Sequence, residues 1–198
     1  MRNNFIHTVI LILFTFAVPR WAVAQQPPVF TRADTLRGTV TPERAWWDLA
    51  YYHLQIRVTP RDSTVSGSTT ISYRVLQPAQ TLQVDLQAPL RITKVEQDGQ
   101  PLTFRQDGNA YFVALTKPQQ AGRRESLVVH YAGKPQVAKN APWDGGFSWQ
   151  RDTTGKPFVA TSCQGLGDSA WWPCKDPMYE EPDSMLISVP VPRVVMNV

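Results

Sequence analysis

From Trp46 onwards the chain is organised by apolar and polar positions that alternate. Residues 53–58 put Leu54, Ile56 and Val58 on one side and His53, Gln55 and Arg57 on the other. Val65, Thr69, Ile71, Tyr73 and Val75 continue the two-residue period, with Gly67 where a bulge or a close strand crossing would fit. Further runs of the same kind cover 82–86, 90–97, 102–105, 110–115, 126–131, 158–163 and 184–191. Asp98-Gly99 is a two-residue hairpin signal between the fourth and fifth runs, and Asp107-Gly108-Asn109 is a second turn. No segment of this region holds a 3.6-residue period over three turns. The pattern predicts an all-β, antiparallel two-sheet, saddle-like sandwich, with half-buried sheets joined by short turns.

What precedes the alternating region differs from it. Residues 1–24 have a short basic start, an apolar run from Phe5 to Val18 and a small-x-small end at Ala22-Val23-Ala24. These are the parts of a secretory signal peptide, so the protein is expected to be exported, to a periplasm or to the exterior. The apolar run is too short, and too soon broken by Pro19-Arg20, to span a bilayer, so no stable membrane span is expected after cleavage. Residues 25–45, with Pro27, Pro28, Gly38 and Pro42, read as an extended lead-in, and 46–198 as one domain. The chain's formal charge is +4, and Arg2 and Arg20 leave with the signal. No basic stripe remains, and nucleic acid is not an expected partner.

The segment 140–183 breaks the alternation. It holds Trp143, Trp149, Trp171 and Trp172, with Gly145, Gly146, Gly155, Gly165 and Gly167. Long loops of this composition are packed Ω-like structures or binding surfaces. Cys163 and Cys174 also lie here. A disulfide in an oxidising compartment and two free buried thiols both fit, with free thiols preferred. Beyond the signal peptide the histidines are His53 and His130, each inside an expected strand, and no His-Glu-x-x-His is present. Zinc catalysis requires three protein ligands and an open position. A Gly-x-Ser-x-Gly elbow and a Walker-type phosphate loop are also missing. The carboxylates Asp144, Asp168, Asp176, Glu180, Glu181 and Asp183 form no diagnostic pair in the sequence.

Three stretches nevertheless form a recognisable series. Phe158-Val159-Ala160-Thr161-Ser162-Cys163-Gln164 is followed by Trp171-Trp172-Pro173-Cys174-Lys175-Asp176 and then by Ser184 to Pro192. This series resembles the end of the N-terminal domain of aminopeptidase N-type zinc peptidases, the gluzincins that include the leukotriene hydrolases. Residues 52–58, Gly67 and 71–73 resemble that family's opening strands. The resemblance implies a saddle-shaped β domain that serves a separate, zinc-bearing catalytic domain. It implies one substrate-site residue here, Gln164, whose amide oxygen would accept a hydrogen bond from a peptide's α-ammonium group. Two departures are that Ser162 stands where the family often has Gln, and Ser169 where it has Arg.

The family's Gly-x-Met-Glu-Asn strand and zinc motif are absent. The expectation is a non-catalytic domain, ending as a fragment would, with no cofactor of its own; zinc would belong to the catalytic domain. A peptide N-terminus would be a partner when the two are joined. The rival expectation is a stand-alone exported module holding peptide or glycan with Trp143, Phe147, Trp149, Trp171 and Trp172.

Overall fold

A computed structural model describes residues 29–190. The expected signal peptide, 1–24, lies outside the described residues. Ten strands follow in chain order: β1 (Trp47–Thr59), β2 (Thr64–Val75), β3 (Thr81–Asp85), β4 (Arg91–Gln97), β5 (Gln100–Asp107), β6 (Ala110–Ala114), β7 (Arg124–Gly133), β8 (Gly146–Arg151), β9 (Pro157–Ser162) and β10 (Ser184–Ser188). Eight of them form one sheet in the order β10-β1-β2-β7-β4-β5-β6-β3, and β8 and β9 form a separate hairpin.

The all-β class agrees with the alternation, and the two layers prove to be halves of one curled sheet. Gln100–Leu102 of β5 pairs with β4, whereas Thr103–Asp107 pairs with β6. A single strand therefore carries the sheet around its corner. Core side chains come from both halves: Leu54, Ile71, Tyr73, Leu127 and Val129 from one, Leu82, Val84, Tyr111 and Val113 from the other.

Local chemistry explains the register. Asp98 and Gly99 both have positive φ, 52° and 73°, and join Gln97 directly to its partner Gln100. That is the double left-handed turn whose twist matches a hairpin. Gly67 pairs with Ile56, and a Cβ placed on it would stand 2.1 Å from the Gln55 carbonyl oxygen. No side chain fits there. A register shift between Leu49 and Tyr51 lets Trp47 and Leu49 share the core with Tyr52 and Leu54 despite the change of parity.

Three expectations need correction. The lead-in is not extended: α1 (Arg32–Gly38) and α2 (Pro42–Ala45) lie within it. Thr31 caps α1 through a reciprocal pair with Asp34, and Pro42 begins α2 where a missing N–H costs nothing. Second, Gly146–Arg151 is a strand, antiparallel to β9. Third, the sheet is mixed, because β10 runs parallel to β1. A parallel neighbour requires a long crossover. The connection from β1 to β10 runs through β2–β9, and its last part, the crossover at residues 163–183, pairs Cys174 with Asp85 of β3 before the chain reaches β1.

That crossover also closes the curl. The Asp85 and Cys174 backbones exchange hydrogen bonds of 2.8 and 3.0 Å. Lys175 donates its N–H to the Tyr52 hydroxyl at 2.8 Å and its Nζ to the Trp47 carbonyl at 2.6 Å. Glu180 accepts the Leu49 N–H at 3.1 Å. The segment thus ties β3 to β1. Beyond β1, Met185 and Ile187 of β10 stand opposite the buried Tyr52 and Leu54, yet are 42% and 46% exposed. The core face of the sheet therefore continues onto uncovered apolar side chains.

Candidate functional site

Strand β9 ends at Ser162 and delivers the chain into a tight turn. The Cys163 carbonyl accepts the N–H of Leu166 at 3.1 Å and of Gly167 at 2.9 Å. Gly165 and Gly167 hold φ of 71° and 72°, and a short 3-10 helix, Asp168–Ala170, follows. Gln164 is exposed in this turn, and its side-chain amide makes no hydrogen bond within the described residues. Gly167 is required for packing as well as for backbone conformation. A Cβ there would lie 2.6 Å from Asp176 Oδ1 and 2.9 Å from Arg37 Nη2.

Two side chains from distant parts of the sequence, and one at the end of β9, hold the turn. Arg37, in the last turn of α1, donates Nε to Asp176 at 3.0 Å, Nη1 to the Gly165 carbonyl at 3.2 Å and Nη2 to the Leu166 carbonyl. Gln87, just beyond β3, donates Nε2 to the Leu166 carbonyl and, at 2.8 Å, to Ser169 Oγ. Ser162 Oγ donates to the Asp144 carbonyl, and Gly145 packs on the Leu166 side chain. The Asp144 carboxylate in turn accepts the N–H groups of Lys139 and Asn140 at 2.6 and 2.9 Å, which sets the 139–145 loop. Among the described residues Gln164 is thus an unengaged amide on a braced backbone.

Below the turn lies a buried ion pair. Arg44 of α2 and Asp85 of β3 face each other, their side chains 0% and 5% exposed. Arg44 Nη1 also donates to the carbonyls of Leu36, Arg37 and Thr39, at 2.7, 3.1 and 2.9 Å. Those are end-of-helix carbonyls of α1, which lack partners within the helix. Asp85 further accepts Gln83 Nε2 at 2.9 Å. Burial pushes the Asp85 carboxyl above its ordinary range, and the guanidinium of Arg44 opposes that shift.

The Trp171–Asp176 block anchors the turn from the other side. Trp172 and Cys174 are buried, Lys175 meets Glu180 at 2.9 Å in a nearly closed pair, and Asp176 accepts Ser169 Oγ at 2.6 Å. Burial lowers the Lys175 pKa, against the pull of Glu180. Ser169, at the position where the sequence departs from the resembled family, therefore serves the same carboxylate that Arg37 grips.

The remaining candidates fall into place around this site. Cys163 and Cys174 are free thiols, so the disulfide that the sequence left open is not formed. Cys174 is enclosed beside β3 by its backbone pairing with Asp85, while Cys163 is half-buried at the foot of the turn. Burial raises both thiol pKa values, that of Cys174 well above the usual range. Of the five aromatics offered as a binding face, Phe147 and Trp172 are buried and Trp149 and Trp171 pack against the core. Phe147 stacks on Trp149 at 5.4 Å, and Trp171 meets Trp172 edge-on at 4.2 Å. Trp143 alone of the five is open, 81% exposed.

His53 Nε2 lies 3.0 Å from Ser188 Oγ, and His130 Nε2 2.9 Å from Glu96 Oε2, on strands separated by β2. Among the described residues no cluster of three or more His, Cys, Asp or Glu could hold a metal ion. Nor, among them, is any helix long and apolar enough to cross a membrane.

Sequence reasoning missed Arg37, Arg44, Asp85 and Gln87. The one local signal for the first two was Thr31-x-x-Asp34 with Pro42, which marks helix starts.

No protein-family model and no curated protein matches the sequence. Solved structures do match in fold. An M1 zinc metallopeptidase from Deinococcus radiodurans superposes with a TM-score of 0.58 at 23% identity, over 74% of this chain and 33% of that one. A variant of it bound to a Tyr-Ser-Ala substrate gives 0.57 at 23%, over 75% and 34%. Yeast LTA4 hydrolase in complex with bestatin gives 0.60 at 18%, over 85% and 26%. The chain thus shares the fold of a part of M1 zinc metallopeptidases, and it spans about a third or less of the length of each.

Proposed function

We propose that this chain is the exported N-terminal domain of an M1-type zinc aminopeptidase, and that Gln164 is its contribution to the site that receives a peptide's free α-ammonium group. The observation that carries the reading is the state of Gln164: an exposed amide with no hydrogen bond among the described residues, in a braced turn on the fold described above. Its oxygen can accept a hydrogen bond from an ammonium, and its nitrogen can donate to a carbonyl. A charge-assisted bond of this kind favours substrates with an unblocked N-terminus. Among the described residues no three His, Cys, Asp or Glu side chains group to hold a metal ion, and the reading assigns the metal and the proton-transfer groups to a further domain.

The test uses this chain joined to a zinc-binding catalytic domain. With an aminoacyl-nitroanilide as substrate, Gln164→Ala is expected to lower kcat/KM about 10–100-fold, the loss of one hydrogen bond to a charged group. Gln164→Glu, which keeps an acceptor, is expected to retain most of it. An unchanged kcat/KM in Gln164→Ala, with zinc content intact, would sink the assignment. Separately, residues 25–198 alone are expected to hold no stoichiometric zinc and to hydrolyse nothing. Zinc-dependent turnover by them would place the chemistry in this chain. N-terminal sequencing of the secreted product is expected to begin at Gln25; a retained residue 1 would remove export by cleavage.

A further inference from the structure

We propose that Arg37 is a positioning residue of this site, so that helix α1 belongs to the functional site rather than to a lead-in. The inference rests on the role given to Gln164 and concerns what makes that amide fit for it.

Helix α1 buries none of its residues. Its docking therefore rests on polar contacts: Arg32 pairs with Asp107, the Leu36 carbonyl accepts Gln83 Nε2, and Arg37 alone of its side chains reaches the turn. Arg37 spreads one planar fork over three acceptors: the Asp176 carboxylate and the carbonyls of Gly165 and Leu166. Lysine has no fixed fork with which to copy this. The carbonyl of Leu166 has a second donor in Gln87, but that of Gly165 has Arg37 alone among the described residues. Gly165 and Gly167 add backbone freedom where no side chain can restrict it.

The stiffness of the turn after Gln164 consequently depends on these hydrogen bonds. Before Gln164 the brace is the Ser162–Asp144 contact. Arg37 is itself held, since Arg44 donates to its carbonyl and pairs with Asp85 beneath. A continuous series runs from β3 through Arg44 and Arg37 to the turn. A flexible amide loses much of a single hydrogen bond's benefit to ordering, whereas one held in place does not.

The test has two arms. In the first, amide hydrogen exchange is followed on the full chain for wild type, Arg37→Ala and Arg37→Lys. Arg37→Ala is expected to speed exchange of the Leu166 and Gly167 amides about tenfold or more, the factor for losing one charge-assisted hydrogen bond. Exchange in β1 and β2 should not change, and Arg37→Lys should lie between. Unchanged turn exchange overturns the inference, and so does equal acceleration in β1 and β2, since Arg37 would then act on overall stability.

In the second arm, with the chain joined to a catalytic domain, Arg37→Ala is expected to reduce kcat/KM. In the background of Gln164→Ala it should add little further loss. Fully additive losses overturn the coupling. If Gln164→Ala itself does nothing while the exchange result holds, the function proposed for Gln164 fails and Arg37 is left with a structural role only.

Discussion

Replacing Arg44 with methionine removes the cation from the most enclosed ion pair of the fold. Asp85 would keep Gln83 as a donor but lose its charge partner; the Arg37 carbonyl would lose its donor, while those of Leu36 and Thr39 would each keep one, from Gln83 Nε2 and the Thr41 N–H. Leaving one member of a buried pair uncompensated costs about 3–5 kcal/mol. The Arg44 side chain is 0% exposed and water cannot substitute for it, so a value near 4 kcal/mol is expected. That is a large part of the ~5–15 kcal/mol that stabilises an ordinary domain. It corresponds to a fall in Tm of about 8–16 °C for a chain of this size.

The pH dependence carries a sharper signature. The Asp85 carboxyl already lies above its ordinary range because burial opposes its charge, and Arg44→Met takes away the group that opposes that shift. A carboxyl whose folded pKa exceeds its unfolded value, about 3.9, binds its proton more tightly in the folded state. Stability is then lost as pH rises from that unfolded value through the folded one, and recovered on acidification. The deficit of Arg44→Met should therefore be larger at pH 7 than at pH 5. Urea denaturation of wild type, Arg44→Met and Arg44→Met/Asp85→Asn at both pH values measures it, and the double variant should regain at least about 1 kcal/mol at pH 7. A deficit under 1 kcal/mol, or one that grows on acidification, would refute the reasoning.

Two further outcomes are expected. Gly67→Ala should destabilise the chain by about 3 kcal/mol in urea, because its Cβ meets the Gln55 carbonyl at 2.1 Å on a paired strand. Gly38→Ala, with open space around it, should be neutral or stabilising by about 0.5 kcal/mol, and equal effects at the two sites would contradict the packing described. A thiol reagent at pH 7 should label Cys163 slowly and Cys174 only on unfolding, since burial raises both thiols and encloses the second. Rapid labelling of Cys174 in the folded chain, or a disulfide under non-reducing conditions, would contradict it.

The strands were legible where one face meets the core and the other meets water. The expected series Val65, Thr69, Ile71, Tyr73 and Val75 is buried in full, as is Leu127, Val129 and Tyr131. The Asp98-Gly99 turn carries its own backbone chemistry and fell where expected. Strand β8 was not legible because Phe147 and Trp149 pack with Trp171 in a local aromatic cluster, amid glycines that serve the adjoining loop. The parallel pairing of β10 could not be read from period at all. It is decided by where the 163–183 crossover comes out, and that depends on contacts as remote as Cys174 with Asp85 and Glu180 with Leu49.

The candidate site shows the same division more sharply. Gln164 could be singled out only through the resemblance of the stretches Phe158–Gln164 and Trp171–Asp176 to a known family. What braces it could not, because Arg37, Gln87 and Asp144 lie in three unrelated stretches and act through backbone carbonyls. Polar residues in a proline-rich stretch without period look solvated in a sequence. Here they cover the outer side of β3, where Gln83 and Asp85 would otherwise be polar groups buried without partners. In β3 Leu82 and Val84 serve the core, and Gln83 and Asp85, buried on the opposite face, must meet something polar; the alternation alone puts that face in water. A strand buried on both faces that carries an acid on one of them requires a cation from elsewhere in the chain. In this fold Arg44 is that cation, and the helix whose end it caps carries Arg37 to the turn of Gln164.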